Sequence, residues 1–444
     1  MKKQKPFTRS HGLLMPVFSL NSPYGIGTLG RPSFEFIDFL CRAGASYWQM
    51  LPIGPTGYGD SPYQCFSAFA GNPYFLDPEW FLNKGWIPPE ALNLFIYEKS
   101  SRVDYGWLFK TRQKALYAAY KGFLNIGTAA DKKDFCVFKE KNDYWLNDYT
   151  SFMAIKNHFK GIGREGFGKF ALKNADAVNF ANGYLSDEKD FFAFLEFAFD
   201  RQFYELKDYA NKKGLKLIGD IPLYVSNDSA DVWANPNLFL LDSKGRPTGV
   251  AGVPPDIFST DGQLWGNPLY NWEQMKADGY KWWKRRLGFA LGIYDIVRID
   301  HFRGFESYWS VPAGDKTAAG GEWKQGPGLD YVRAVQAALP DLDFIAEDLG
   351  FVTPEVRQLQ LDSGYPSMKV LQFAFDSREA SDYLPHTYPV NSVCYVGTHD
   401  NMTLVQWLQE ADPEDVALAK TYLGLNEEEG FSWGMIRGAM GSVS

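Results

Sequence analysis

The chain has 444 residues, of which 45% are hydrophobic, enough apolar surface for a sizeable core and too much for general disorder. A formal net charge of -8, with no compensating basic run, argues against a nucleic-acid partner. Four scattered cysteines exclude a disulfide scaffold and a close metal-type pair, and no segment approaches bilayer-spanning length, so a soluble cytoplasmic protein is expected.

In chain order, apolar runs bounded by turn residues alternate with helical patterns. An N-terminal apolar stretch is broken by Pro16 and lacks a small-residue cleavage site, so it reads as structure and not as a signal peptide. Residues 13–18 are the first expected strand, 33–42 a helix and 47–51 the second strand. A long interruption over 56–190 follows, helix-like at 107–123 and 156–160, and is expected to form an insertion over the mouth of the fold. The alternation resumes with a helix over 191–212 and a strand at 215–218, then a helix at 272–291 and a strand at 293–299. Next come 331–338 and 342–346, 354–361 and 368–373, and a strand at 393–396 followed by a helix at 403–410. Such alternation predicts a parallel sheet with crossover helices, here an α/β fold of the (β/α)8 TIM-barrel type. Its parts would be 1–55 with strands one and two, the insertion over 56–190, and 191–444 with strands three to seven. The eighth strand is missing from this count, and residues 430–444 read as a helix.

Three of these strands run into carboxylates. The fourth passes Arg298 and ends in Asp300, followed by His301 and Arg303; the fifth ends in Glu347 and Asp348; the seventh leads to Thr398, His399, Asp400 and Asn401. Core strands that end in clustered ionisable groups present an active site at the carboxyl edge of a barrel. Cleavage of a glycosidic bond with retention needs a carboxylate nucleophile and a protonated carboxylic acid about 5–5.5 Å apart, and neighbouring strands can bring Asp300 and Glu347 to that spacing. Arg298 lies two residues before Asp300, hence on the same side of its strand, and its guanidinium is expected to keep Asp300 ionised. Glu347 has no such neighbour in sequence and can hold the raised pKa of a general acid. Asp400, with His399 and His301, can grip sugar hydroxyls. Aromatic residues form 17% of the chain, including 14 Trp and 25 Tyr, and their flat faces suit stacking on sugar rings, although core packing competes for most of them.

Two other readings fit less well. Gly25, Gly27 and Gly30 match a dinucleotide-binding loop between a strand and a helix, but no acid stands between Asp38 and Asp60 to hold a ribose. A metal site at the two His-Asp pairs lacks the ligand-rich helical spacing of zinc enzymes, so neither metal nor cofactor is expected.

These strand ends occur together with four further segments. One runs from Gly57 through Tyr58, Asp60 and Tyr63 to Gln64, and another from Gly219 through Asp220 to Tyr224. The third runs from Gly252 to Asp256, and the fourth from Gln263 through Trp265 to Tyr270. With them the chain resembles the amylomaltases, the 4-α-glucanotransferases of glycoside hydrolase family 77, from about residue 10 to its last residue. The resemblance implies that Asp300 is the nucleophile, Glu347 the acid and then the base, and Asp400 the stabiliser of the transition state through the 2- and 3-hydroxyls. It further implies that Tyr63 stacks beneath the reacting ring and that Asp220, Arg298, His301 and His399 complete the donor site. The stretch from about 252 to 265, with Asp256, Gln263 and Trp265, would cover the acceptor side and keep water out, and Tyr58 would belong to a second glucan contact. For Tyr63 and Trp265, core packing is the competing explanation. Maltooligosaccharides, amylose or other α-1,4-glucans would be donor and acceptor. The alternatives are an α-glucan hydrolase with the same acids, or a glucan-binding protein without turnover. Family members continue past this C-terminus with another strand, so a barrel one strand short is expected.

Overall fold

The computed structural model describes residues 7–57, 59–97, 101–255, 259–350, 352–378 and 381–444. Seven parallel strands follow the expected order: β1 (Gly12–Leu14), β2 (Tyr47–Gln49), β3 (Lys216–Ile221), β4 (Ile296–Ile299), β5 (Asp343–Ala346), β6 (Ser367–Val370) and β7 (Ser392–Tyr395). β1 to β5 hydrogen-bond in sequence order, and β6 pairs with β7. The Ala346 N–H donates to the Pro366 carbonyl at 2.9 Å, which joins the two groups beside β6.

The sheet curls. Ile218 on β3, Ile296 on β4, Ile345 on β5 and Met368 on β6 form one apolar cluster with Tyr47 of β2 and with Val393 and Tyr395 of β7. Side chains from six strands meet on one concave face, as in the interior of a TIM-type barrel. The Tyr395 hydroxyl donates to Gln49 Oε1 at 2.6 Å and so ties β7 to β2. The helix Phe431–Met440 packs through Met435 and Ala439 in one apolar cluster with Leu371, Phe375 and Trp407. Arg9, just before β1, donates to the Met440 carbonyl at 2.6 Å, and the hydroxyls of Ser444 and Ser392, the latter at the start of β7, are 2.5 Å apart.

Crossover helices cover the convex face. Arg31–Arg42 buries Ile37 and Leu40, and Ser186–Lys212 buries Phe191, Phe194, Phe197 and Leu206 among others. Each fully buried Phe there contributes on the order of 1.5–3 kcal/mol. The same apolar cluster continues through the insertion, whose main helices are Tyr105–Ile126 and Ala129–His158. The expected short helix at 156–160 is the end of the second of these, a helix of 30 residues that opens with a Thr128–Asp131 capping box. Helix 272–291 is in fact two helices, Trp272–Ala277 and Lys281–Ile293, because Gly279 and Tyr280 take φ of 71° and 58°, which no helix accommodates. That second helix displaces the start of the fourth strand from residue 293 to Ile296.

A four-stranded antiparallel sheet was not anticipated. Its strands are Gln263–Pro268, Gly249–Val253, Ser307–Pro312 and Glu322–Gln325, in that spatial order. It carries Gln263 and Trp265 towards the strand ends. The glycine-rich loop serves packing. A Cβ on Gly27 would lie 1.8 Å from the Val17 carbonyl oxygen, and one on Gly30 would meet the Asp77 carboxyl at 2.2 Å. Asp77 thus fills the space at the helix N-terminus that a bound phosphate would need.

Candidate active site

The site begins with strand register. Asp220 on β3 lies opposite Arg298 on β4, and β4 continues into Asp300 as β5 continues into Glu347. The Glu347 N–H donates to the Ile299 carbonyl at 3.0 Å, so the ladder brings the two strand-end acids side by side. Alternation puts Arg298 and Asp300 on one face. Arg298 Nη1 donates to both oxygens of Asp220 at 2.7 Å and to Asp300 Oδ1 at 3.0 Å. Arg298 is 3% exposed, and a buried guanidinium persists only because these carboxylates compensate its lost hydration.

Burial changes the expected ionisation. It pushes Asp300 up to about 6, with Arg298 pulling the other way and Asp220 adding to the rise. The guanidinium therefore limits the rise without cancelling it. Burial raises Glu347 further, to about 7, opposed by Arg298 and reinforced by Asp300.

Glu347 also has partners that no sequence spacing reveals. Its Oε2 accepts the His301 N–H at 2.6 Å, and its Oε1 accepts the Leu349 N–H at 2.9 Å. The first bond depends on His301 adopting a left-handed backbone, φ 54° and ψ 44°, which costs a non-glycine residue about 1–2 kcal/mol. Burial lowers the His301 imidazole to about 3, helped by Arg303, so the ring is neutral.

Tyr63 arrives from the insertion. Its hydroxyl lies 2.9 Å from Asp220 Oδ2 and 2.7 Å from His399 Nε2, and the Tyr63 and His399 ring planes are within 8° of parallel. A phenol has one proton. With Asp220 ionised as its acceptor, the hydrogen of the second bond belongs to His399 Nε2, which also faces Asp400 Oδ2 at 3.3 Å. His399 Nδ1 is then the bare acceptor, buried and without a partner among the described residues. Burial lowers the His399 pKa, with Asp400 opposing. The Asp400 carboxylate is 71% exposed, open to a ligand.

On the opposite side, the Trp265 ring stands edge-to-face with His301 at 4.8 Å, and Trp265 Nε1 donates to Gln263 Oε1 at 3.1 Å. Gln64 Nε2 donates to the Trp265 carbonyl at 3.3 Å and to Asn267 Oδ1 at 3.0 Å, which pins the outer strand to the Tyr63 segment. Sequence reasoning passed over Gln64 and Asn267, although both stand inside the motifs; polar residues next to assigned ones were the available signal. Tyr58 and Asp256 lie outside the described residues. The remaining predicted residues, Tyr63, Asp220, Gln263, Trp265, Arg298, Asp300, His301, Glu347, His399 and Asp400, are connected through these contacts. Among the described residues no group of three His, Cys, Asp or Glu is arranged to hold a metal ion. Two adjacent acids, Asp300 half-buried and held by a guanidinium and Glu347 buried and held by backbone N–H groups, can divide nucleophilic and acid–base work between them.

Comparison with known proteins agrees with this chemistry. A family model described as 4-alpha-glucanotransferase matches residues 15–444. The 4-alpha-glucanotransferase of Clostridium butyricum is 44% identical over 434 residues, covering 97% of this chain and 88% of the relative. That of Synechocystis is 45% identical, covering 98% and 87%. The structure of an amylomaltase from Streptococcus agalactiae in complex with acarbose superposes with a TM-score of 0.95 at 37% identity, covering 98% of this chain and 88% of that one.

Proposed function

The chain belongs to the 4-alpha-glucanotransferase family, glycoside hydrolase family 77, and from that premise we propose how its strand-end groups divide the work of glucanosyl transfer. It is an enzyme of the glycosyl-transfer class. The donors and acceptors in this reading are maltooligosaccharides, amylose and other α-1,4-glucans. Asp300 Oδ1 is engaged by Arg298, whereas Oδ2 has no partner among the described residues and is the oxygen that attacks the anomeric carbon. Glu347 gives its proton to the leaving 4-oxygen as the glucosyl–Asp300 ester forms. It then takes the proton of the incoming 4-hydroxyl as that ester breaks. Asp400 accepts hydrogen bonds from the 2- and 3-hydroxyls, and Tyr63 lies beneath the ring, its position set by Asp220 and His399. Asp256, Gln263 and Trp265 belong to the acceptor side, and Tyr58 to a second glucan contact.

One observation carries the division of roles. Arg298 donates to Asp300 and Asp220, while Glu347 accepts only backbone N–H groups among the described residues. Charge compensation goes to the group that must be anionic, and the group that must hold a proton is left with the higher pKa. Among the described residues no helix is long and apolar enough to cross a membrane, and a cytoplasmic site of action completes the reading.

Incubation with maltotriose tests it. Transfer produces glucose together with a ladder of longer maltooligosaccharides at constant reducing-end count. A steady rise in reducing ends without the ladder would mean that water is the acceptor and would sink the transferase reading for this chain.

The pH dependence follows from the two shifts. Asp300 is ionised above about 6 and Glu347 protonated below about 7, so the productive pair exists mainly between those values. The kcat/KM for maltotriose should therefore rise as pH increases through about 6 and fall as it passes about 7, the two limbs belonging to the pair jointly. A profile flat from about pH 5 to about 8 would contradict the assignment.

A further inference from the structure

A second cleft, of about 580 Å³, lies in the insertion between the helices Ala129–His158 and Ser186–Lys212, on elements that carry none of the strand-end groups. Its walls include Asp143, Asn147, Thr150, Asn182, Ser186 and Lys189. Lys189 Nζ spans it, donating to the side-chain oxygens of Asn147 and Asn182. Amides and hydroxyls supply both donors and acceptors, the requirement for recognising a ligand made of hydroxyl groups. A simple anion site would carry an unopposed cation, yet Asp143 and Asp190 share this cleft with Lys189.

The turn from Asn182 to Ser186 also holds Tyr184, which is 75% exposed. Its ring is not left to swing in solvent. Phe170 and Phe180 are nearly parallel at 4.9 Å and 9°, and Phe180 and Tyr184 continue the stack at 5.4 Å and 13°. His158 stands edge-on to Phe180 and Tyr184 at 5.1 and 5.9 Å. Three rings thus hold one exposed aromatic face in a fixed orientation, in the turn whose Asn182 and Ser186 line the polar cleft. A preset face loses little conformational entropy when a ligand covers it. A flat apolar platform flanked by hydroxyl-matching groups fits a pyranose ring, which has an apolar face of C–H bonds and a rim of hydroxyls. A protein partner would meet too polar a cleft for a hydrophobic anchor.

We infer that Tyr184 and the adjoining cleft bind an α-glucan chain at a place separate from the strand-end site. One glucose ring stacks on Tyr184 while the next units present their hydroxyls to Asn182, Ser186 and Asn147. The choice of α-glucan as ligand rests on the substrate class proposed above. Such a contact keeps a long polymer on the enzyme between transfers and contributes nothing to a trisaccharide.

Affinity electrophoresis of the full chain in gels containing glycogen, alongside maltotriose disproportionation, tests this. Tyr184→Ala should weaken glycogen retention by about threefold to tenfold and leave the maltotriose rate unchanged. Tyr184→Trp should retain the unmodified mobility because the stacking face persists. The inference is overturned if Tyr184→Ala migrates like the unmodified chain, or if Tyr184→Trp loses retention equally. It is also overturned if the maltotriose rate falls in proportion to retention. If the chain transfers no glucosyl units yet Tyr184→Ala still weakens retention, the catalytic reading falls and this one stands.

Discussion

Asp300→Asn should lower kcat for maltotriose disproportionation by about four orders of magnitude or more, about 5.5 kcal/mol of transition-state stabilisation, while the chain stays folded. Asparagine is isosteric, and its amide oxygen still accepts from Arg298, so the guanidinium keeps one neutral and one charged acceptor. Asp220 continues to compensate Arg298 through two contacts of 2.7 Å. The amide cannot form the ester intermediate, which removes the step itself and not merely its rate enhancement. Because no substrate-binding group is altered, the dissociation constant for maltotriose measured by calorimetry should stay within a few-fold of the unmodified value. Residual kcat within about tenfold of the unmodified enzyme would rule out Asp300 as nucleophile.

Glu347→Gln should produce a different signature. General acid–base catalysis contributes about 10²–10⁴-fold, so turnover of maltotriose should fall by that factor. With α-glucosyl fluoride as donor the leaving group needs no proton, so release of fluoride in the first half-reaction should be largely spared. The falling limb of the pH profile near 7 should vanish, because the group that titrates there is gone. Equal losses for maltotriose and the fluoride would remove Glu347 from the acid role. Stability should change as well. The carboxylate accepts N–H groups on both oxygens, from His301 and Leu349, whereas a glutamine turns an NH2 towards one of them. An unmet buried N–H costs about 1–3 kcal/mol, so a lowered Tm is expected and should be measured separately from kcat.

The fate of particular residues shows how far the chain could be read without a structure. β3 to β7 were legible because each is a short apolar run closed by turn residues and separated from the next by helix-length spacing. The antiparallel sheet that carries Trp265 was not. Its strands come from 249–268 and 307–325, and four short segments of mixed polarity give no local signal of pairing. The break at Gly279 and Tyr280 was hidden because Tyr280 adopts a left-handed conformation that only its buried surroundings select. Tyr63 and His399 are 336 residues apart, and their hydrogen bond exists only because the segment carrying Tyr63 folds back onto the residues that follow the strands.

By itself the sequence determined the order of strands and the acids at their ends, since β alternation and strand-helix periodicity are local properties of the chain. It also determined that Arg298 and Asp300 share a face, because two residues along a strand always do. Only the tertiary structure decided how those acids ionise. Burial is a sum over every element packed around a group, and here it outweighs the nearby guanidinium, raising Asp300 to about 6 and Glu347 to about 7. It likewise decided which donors hold Glu347, because those are backbone N–H groups aimed by a left-handed His301 and not side chains that a motif could display.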